Sequence, residues 1–314
     1  MTSPLRALAA PAASRIRRWV LGAFPRGQSG IDYDQPPGDP GLFGPGSVTW
    51  RVHADFPGML SGGLCALMLQ TLHPMALAGV WDHSQFRTDL LGRLRRTTNF
   101  VAGTTYAGRA EAERLIAHVD AIHAQVQGVT ADGRPYRARD PRLLTWVHVT
   151  ESHGFLEGFR RYAPTAMAMT DSVADRYYAE ARRVAEALGA RDVPGSQAEV
   201  ADYFASVQDE LCYDLRSREV LALLARIDLP VPAAGLSRDL FLGAGTALLP
   251  QWAVDRLQLS LPQRLQAAVA ARALRTISPL FRLALNDGVA PRACRRVGVD
   301  ESVLDGWPDL SPSA

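Results

Sequence analysis

The stretch Asp140–Tyr162, DPRLLTWVHVTESHGFLEGFRRY, decides the fold class. Leu144, His148, Glu151, Phe155, Phe159 and Tyr162 recur at three- and four-residue spacing, which places them on one face of a helix. Asp140 stands where an N-cap belongs, and Pro141 at the first helical position, where its missing N–H costs nothing. The same period marks segments near 58–80, 84–101, 109–127, 172–188, 197–206, 216–226, 238–248 and 262–285. Ser196 and Glu199 are spaced as a capping box, and Gly128 and Gly189 stand where helices end. Strand alternation is rare; Gly133–Tyr136 is a turn, at most part of a short hairpin. The expectation is all-α: one multi-helix globular domain of about ten helices over residues 46–314. Residues 1–45 precede it as a short basic helix and a Gly/Pro-rich run, Gly27–Gly46, that wraps the body.

Composition narrows the function classes. The chain has 314 residues, is 47% hydrophobic and 21% charged, and carries a net charge of +2, so it is neither disordered nor in need of staples. A balance so close to neutral removes the electrostatic argument for a nucleic-acid partner. Three cysteines without a C-x-x-C form no disulfide framework or zinc ribbon and point to a reducing, cytoplasmic setting. There is no lysine, so none can act as Schiff base, general base or iron ligand. Trp19-Val20-Leu21 is too short a core for a signal peptide after Arg15, Arg17 and Arg18. Phe56–Trp81 lacks Asp, Glu and Arg and is long enough to span a bilayer. It also holds Pro57, Gly62, Gly63, Gln70, Thr71, His73 and Pro74, and so reads as a buried central helix.

All seven histidines lie between His53 and His153. Such crowding suits iron, zinc or acid–base chemistry. On 109–127 the stripe Leu115, Val119, Ile122 and Val126 has His123 at one edge and His118 at the other, one toward a cavity and one toward solvent. His148 and Glu151, three residues apart, suit a hydrogen-bonded pair that orients an imidazole. No Glu-x-x-His, His-Glu-x-x-His or His-x-x-x-His occurs, nor a P-loop, dinucleotide fingerprint or Gly-x-Ser-x-Gly elbow. Isolated, half-buried histidines suit a cofactor needing one axial imidazole, such as haem. Leu90, Leu94, Thr97 and Val101 form another stripe edged by Phe86 and Arg93. Arg93 and Thr97 then face the same buried space, and a buried guanidinium needs an anion, either an Asp or a haem propionate.

Several segments taken together resemble the MpaB and rubber-oxygenase (latex clearing protein) catalytic-domain family over roughly residues 40–260. They are FGPGSVTWRVHAD (Phe43–Asp55), Leu69-Gln70-x-x-His73-Pro74, Asp82-His83-Ser84, Arg93-x-x-Arg96-Thr97, His123-x-x-Val126-x-Gly128, Gly133–Tyr136 and Trp146-Val147-His148. The resemblance implies an all-α fold that holds b-type haem through one histidine, and an oxidoreductase that uses O2. The characterised branch cleaves carbon–carbon double bonds of polyisoprene. By resemblance His123 is the axial iron ligand, and Arg93 and Thr97 flank the haem on its other side. Arg96 stands where rubber oxygenases carry a lysine able to close the distal site, and a guanidinium is a poor iron ligand. The catalytic-base carboxylate of that branch has no match, because the corresponding region around Leu77 is apolar.

The expected function is a haem b-dependent oxygenase acting on a hydrophobic small molecule. Its catalytic candidates are Arg93, Arg96, Thr97, His148 and Glu151; its cofactor-binding candidates are His123, Arg93, Thr97, His73 and His83. The expected partners are that substrate and O2, with a homodimer left open, no nucleic acid and no stable membrane span. The rival readings are a cofactor-free helical protein that binds an apolar ligand, and a non-haem metalloenzyme.

Overall fold

The computed structural model describes residues 4–25, 30–130, 132–228 and 234–309, with side chains from residue 10 onward. Among these, fourteen α-helices account for nearly all the regular structure. They are α1 (Pro4–Ala23), α2 (Val48–Ala54), α3 (Phe56–Gln70), α4 (Pro74–His83), α5 (Leu90–Tyr106), α6 (Arg109–His123) and α7 (Pro141–Tyr162). After them come α8 (Asp171–Ala187), α9 (Gln197–Ser206), α10 (Leu215–Leu224), α11 (Ala234–Thr246), α12 (Gln251–Arg256), α13 (Leu261–Ala284) and α14 (Val289–Arg296). A hairpin of β1 (Gln127–Val129) and β2 (Pro135–Arg137) sits between α6 and α7, with Gly128 opposite Tyr136.

The centre of the molecule is the antiparallel pair α3 and α7, and glycines set its spacing. Gly58 and Gly62 on α3 face Gly158 and Gly154 on α7 so closely that a Cβ on Gly154 would lie 2.3 Å from the Gly62 carbonyl oxygen. Two backbones can approach this far only where both surfaces lack side chains, the small-x-x-x-small arrangement. On one side of the pair α11 and α13 pack in turn, and α1 lies on α13. Trp19, Phe56, Phe241 and Phe281 join these four elements through stacked and edge-on rings. Asp55 fixes the joint: one oxygen caps α3 at Gly58 N (3.0 Å) and the other takes Arg282 Nε from α13 (2.6 Å). On the other side α2 and α8 cover the pair, linked by Glu180, which accepts from Thr49 N and Oγ1 at 2.9 Å.

The wrapping segment expected before residue 46 is present over residues 30–46, while 27–29 of the expected run lie outside the described residues. Arg296 pins it, donating to the carbonyls of Tyr33 (2.9 Å), Asp39 (2.8 Å) and Tyr106 (2.6 Å).

Several boundaries differ from the expectation. The run 58–80 is two helices, because Pro74 lacks the N–H needed to continue α3 and instead opens α4. The segment expected at 84–101 starts only at Leu90, where Asp89 Oδ1 caps Gly92 N at 2.8 Å, and it runs on to Tyr106. Short helices α2, α12 and α14 raise the count above ten; at six to eight residues they carry too little period to read. Gly128 does not end a helix: α6 stops at His123, and Gly128 lies in β1 under the Tyr136 ring, 2.5 Å from where a Cβ would meet its hydroxyl. Gly189 does end α8, at φ +99°. No single described helix is long and apolar enough to cross a membrane; only α2 with α3, bent by 90°, reaches that composition together.

Candidate active site

Helices α5 and α6 pack on each other, and α5 is anchored to α2 and α14, yet neither lies closely along α3 or α7. The side chains facing this gap are only half-buried although they belong to the interior: Gln70 on α3, Arg93 on α5, His123 on α6, His148 and Glu151 on α7. Burial holds the His148 imidazolium down to about 4 and pushes the Glu151 carboxyl up to about 7, against the opposing pull of Gln70 and Arg93. Arg93 on α5 is within electrostatic reach of His123 on α6 and Glu151 on α7, and Gln70 reaches α7 through Thr150 Oγ1 (3.1 Å); the space these half-buried side chains border is called the slot.

Two rings in the slot are unpartnered. His123 Nδ1 is buried with no hydrogen-bond partner, and burial lowers its pKa, with Asp120 opposing and Arg139 and Arg93 assisting. The His148 ring makes no hydrogen bond among the described residues. Arg93 donates to Ser84 Oγ at 3.2 Å and is in ion-pair contact with no carboxylate among the described residues; burial lowers its pKa, and Glu151 resists through space. An enclosed guanidinium without an anion beside free imidazoles is an incomplete set of partners.

His53 is the opposite case. Thr105 gives its hydroxyl proton to Val101 O (2.7 Å), so His53 Nδ1–H must donate to Thr105 Oγ1 (2.8 Å), and Nε2 accepts from Tyr177 OH (3.0 Å). The ring is satisfied and neutral, and burial, with His148 nearby, depresses it to about 3. His53 backs the wall of the slot beside His148. With Gln70 and Tyr177 it is missing from the sequence-based candidates, although TWRVHAD and LQ-x-x-HP contain two of the three.

Arg93 is within electrostatic reach of His123 and of Glu151. His148, one turn before Glu151 on α7, does not form the expected hydrogen bond with it among the described residues, since the Glu151 carboxyl takes Gln70 instead. The remaining candidates lie elsewhere. His73 is buried against Trp146 with Nε2 3.7 Å from Glu210, while its Nδ1 has no partner among the described residues. His83 is exposed, with Nε2 3.1 Å from the Gln127 carbonyl. Arg96 is exposed and pairs with Asp89 at 3.2 Å, and Thr97 is exposed beside it. The α6 stripe is rotated from the expected one: Ala112, Ile116, Val119 and His123 face inward, while Ile122 is 49% exposed and His118 faces solvent. Both registers share the 3.6 period, so period alone does not separate them.

Glu151 gives a pH test. Its folded carboxyl keeps its proton up to about pH 7, whereas the unfolded one loses it near 4.5, so folding becomes less favourable as pH rises through that window. Glu151→Gln is expected to raise the apo-protein's stability at pH 8 by up to about 3 kcal/mol, with the gain vanishing below pH ~4.5. Thermal melts of both proteins across that range measure it; a gain that grows toward acid contradicts the assignment.

Among the described residues no group of three or more His, Cys, Asp or Glu side chains is placed to hold a metal ion, which leaves the non-haem metalloenzyme reading without a ligand set. No curated protein and no solved structure matches the chain. The family model for the catalytic domain of the ER-bound oxygenase mpaB/B'/rubber oxygenase matches residues 50–285. The match begins inside the TWRVHAD segment and runs past residue 260 to the end of α13, so it takes in the α3–α7 pair and every wall of the slot. The chain therefore belongs to the mpaB/rubber-oxygenase catalytic-domain family, a family of oxygenases.

Proposed function

We propose that the protein is a haem b-dependent oxygenase whose slot between α5–α6 and α3–α7 holds one haem through His123 and admits a small apolar substrate. The observation that carries this reading is the partner set, incomplete among the described residues: an unpaired imidazole at His123 and a guanidinium at Arg93 without a carboxylate. Those residues fit a haem, one as axial ligand and the other as counter-ion to a propionate. When bound, the haem iron supplies the activation of O2 that the side chains here cannot.

The remaining chemistry belongs to the chain's own residues. Glu151 and His148 face the same closed space, and a carboxyl held near neutrality can keep or give up a proton at its Oε atoms during turnover. Glu151 thus takes the acid–base role that the polyisoprene branch fills elsewhere, since Leu77 is a core side chain only 4% exposed. His53, fixed by Thr105 and Tyr177, holds the wall behind His148 in one orientation. The partly buried apolar side chains that these helices pack against the core, among them Leu67, Leu90, Val101 and Val147, suit a hydrophobic small molecule rather than a polar one. A cytoplasmic setting is part of the proposal, resting on the three unpaired cysteines.

The test is O2 consumption by the haem-loaded protein over a panel of small alkenes, with ¹⁸O2 and mass spectrometry of the products. Incorporation of ¹⁸O from O2, reduced about a hundredfold in Glu151→Gln, is the expected result. Oxygen that enters products only from water contradicts the proposal.

A further inference from the structure

Helix α13 is apolar on two opposite sides. Ala267, Ala270, Leu274 and Phe281 are buried against the body. Facing away from them, Leu261, Leu265 and Val269 are 69%, 59% and 70% exposed. At about 100° per residue these three form a ridge about 12 Å long, and Arg272 and Thr276 continue its line. Farther along that side lies an open cleft of about 680 Å³ beside Pro279, lined by Arg275 and Asn286 and by Thr165 from beyond the end of α7.

The charges on this helix are of one sign. Its 24 residues include no Asp or Glu. Arg264 pairs with Asp255 and Arg282 with Asp55, but Arg272 and Arg275 have no carboxylate partner among the described residues. The outer side of a surface helix is normally polar. An apolar ridge continued at one end by two arginines without carboxylate partners is the pattern of a helix that lies in a bilayer interface. A second copy of the chain is a poorer occupant, because a two-fold contact sets Arg272 and Arg275 of both partners against a side of α13 that carries no carboxylate, and the neighbouring Asp255 is already paired with Arg264.

We infer that the outward side of α13 is a docking surface for an anionic lipid bilayer. Leu261, Leu265 and Val269 enter the boundary between headgroups and acyl chains, and Arg275 meets a lipid phosphate at the mouth of the cleft. This inference stands on α13 alone and not on the haem.

Flotation of the full chain with phosphatidylcholine vesicles, with and without phosphatidylglycerol, tests it. The expected result is binding to the anionic vesicles only, weakened by added salt. Leu265→Glu/Val269→Glu is expected to lose binding by more than tenfold, and Arg275→Gln by about fivefold. All these positions are exposed, so unchanged thermal melts establish that the variants are folded. Wild-type binding to neither vesicle type overturns the inference, as does full binding by the double variant. So does a dimer, measured by light scattering, that the double variant disperses, since a second copy would then cover the ridge.

Discussion

Gly154→Val is expected to yield little or no folded protein, with a loss of at least about 3 kcal/mol where it can be measured. The Cβ would lie 2.3 Å from the Gly62 carbonyl oxygen and 3.3 Å from Ala66 N, and both are backbone atoms of a buried helix. A flexible side-chain tip could give way; α3 can do so only by moving away from α7, and with it the contacts of α11 and α13. Gly62→Val is expected to fail equally, because the contact is reciprocal. Gly63→Ala is the control: its Cβ meets only the Phe155 ring, at 3.6 Å, and alanine is the better helix former. It is expected to stay within about 1 kcal/mol of the parent in urea denaturation. A Gly154→Val protein as stable as Gly63→Ala would show that the close crossing does not hold the fold.

His123→Ala is expected to bind haem at least tenfold more weakly than the parent, while its apo form melts at nearly the same temperature. The ring is an unpaired, half-buried group, so its removal breaks no hydrogen bond and leaves a modest cavity. Added imidazole is expected to restore a share of the haem affinity by filling the space left by the side chain. His73→Ala and His83→Ala are expected to keep haem, since those rings face Glu210 and Gln127. Haem titrations followed in the Soret region measure all of these. Loss of haem from His148→Ala and not from His123→Ala would move the ligand from α6 to α7.

The fold class was legible in the sequence, because helices such as Pro141–Tyr162 and Gln197–Ser206 carry both a period and a cap. What holds the fold together was harder to read. Gly58, Gly62, Gly154 and Gly158 lie in plain view at four-residue spacing, but such glycines become informative only when two helices are known to be partners. The site was legible in part. Arg93 comes within electrostatic reach of His123 and Glu151, but the hydrogen-bonded pair that the spacing of His148 and Glu151 suggests is not formed among the described residues. His53 and Tyr177 come from helices 124 residues apart, and no local pattern joins them. Thr97 shows the limit of helical period: it shares a face with Arg93, yet α5 turns that part of the face outward. His73 shows another limit, since a histidine just before a proline opens α4 and its ring meets Glu210, a partner that no local pattern reveals.

The most direct test of the account is the haem stoichiometry of the purified chain, expressed with a haem precursor and then titrated with hemin, by the pyridine haemochrome assay. The account predicts a Soret band and saturation at about one b-type haem per chain. A colourless protein that takes up no haem under titration would contradict it, and would favour the rival in which the slot simply binds an apolar ligand.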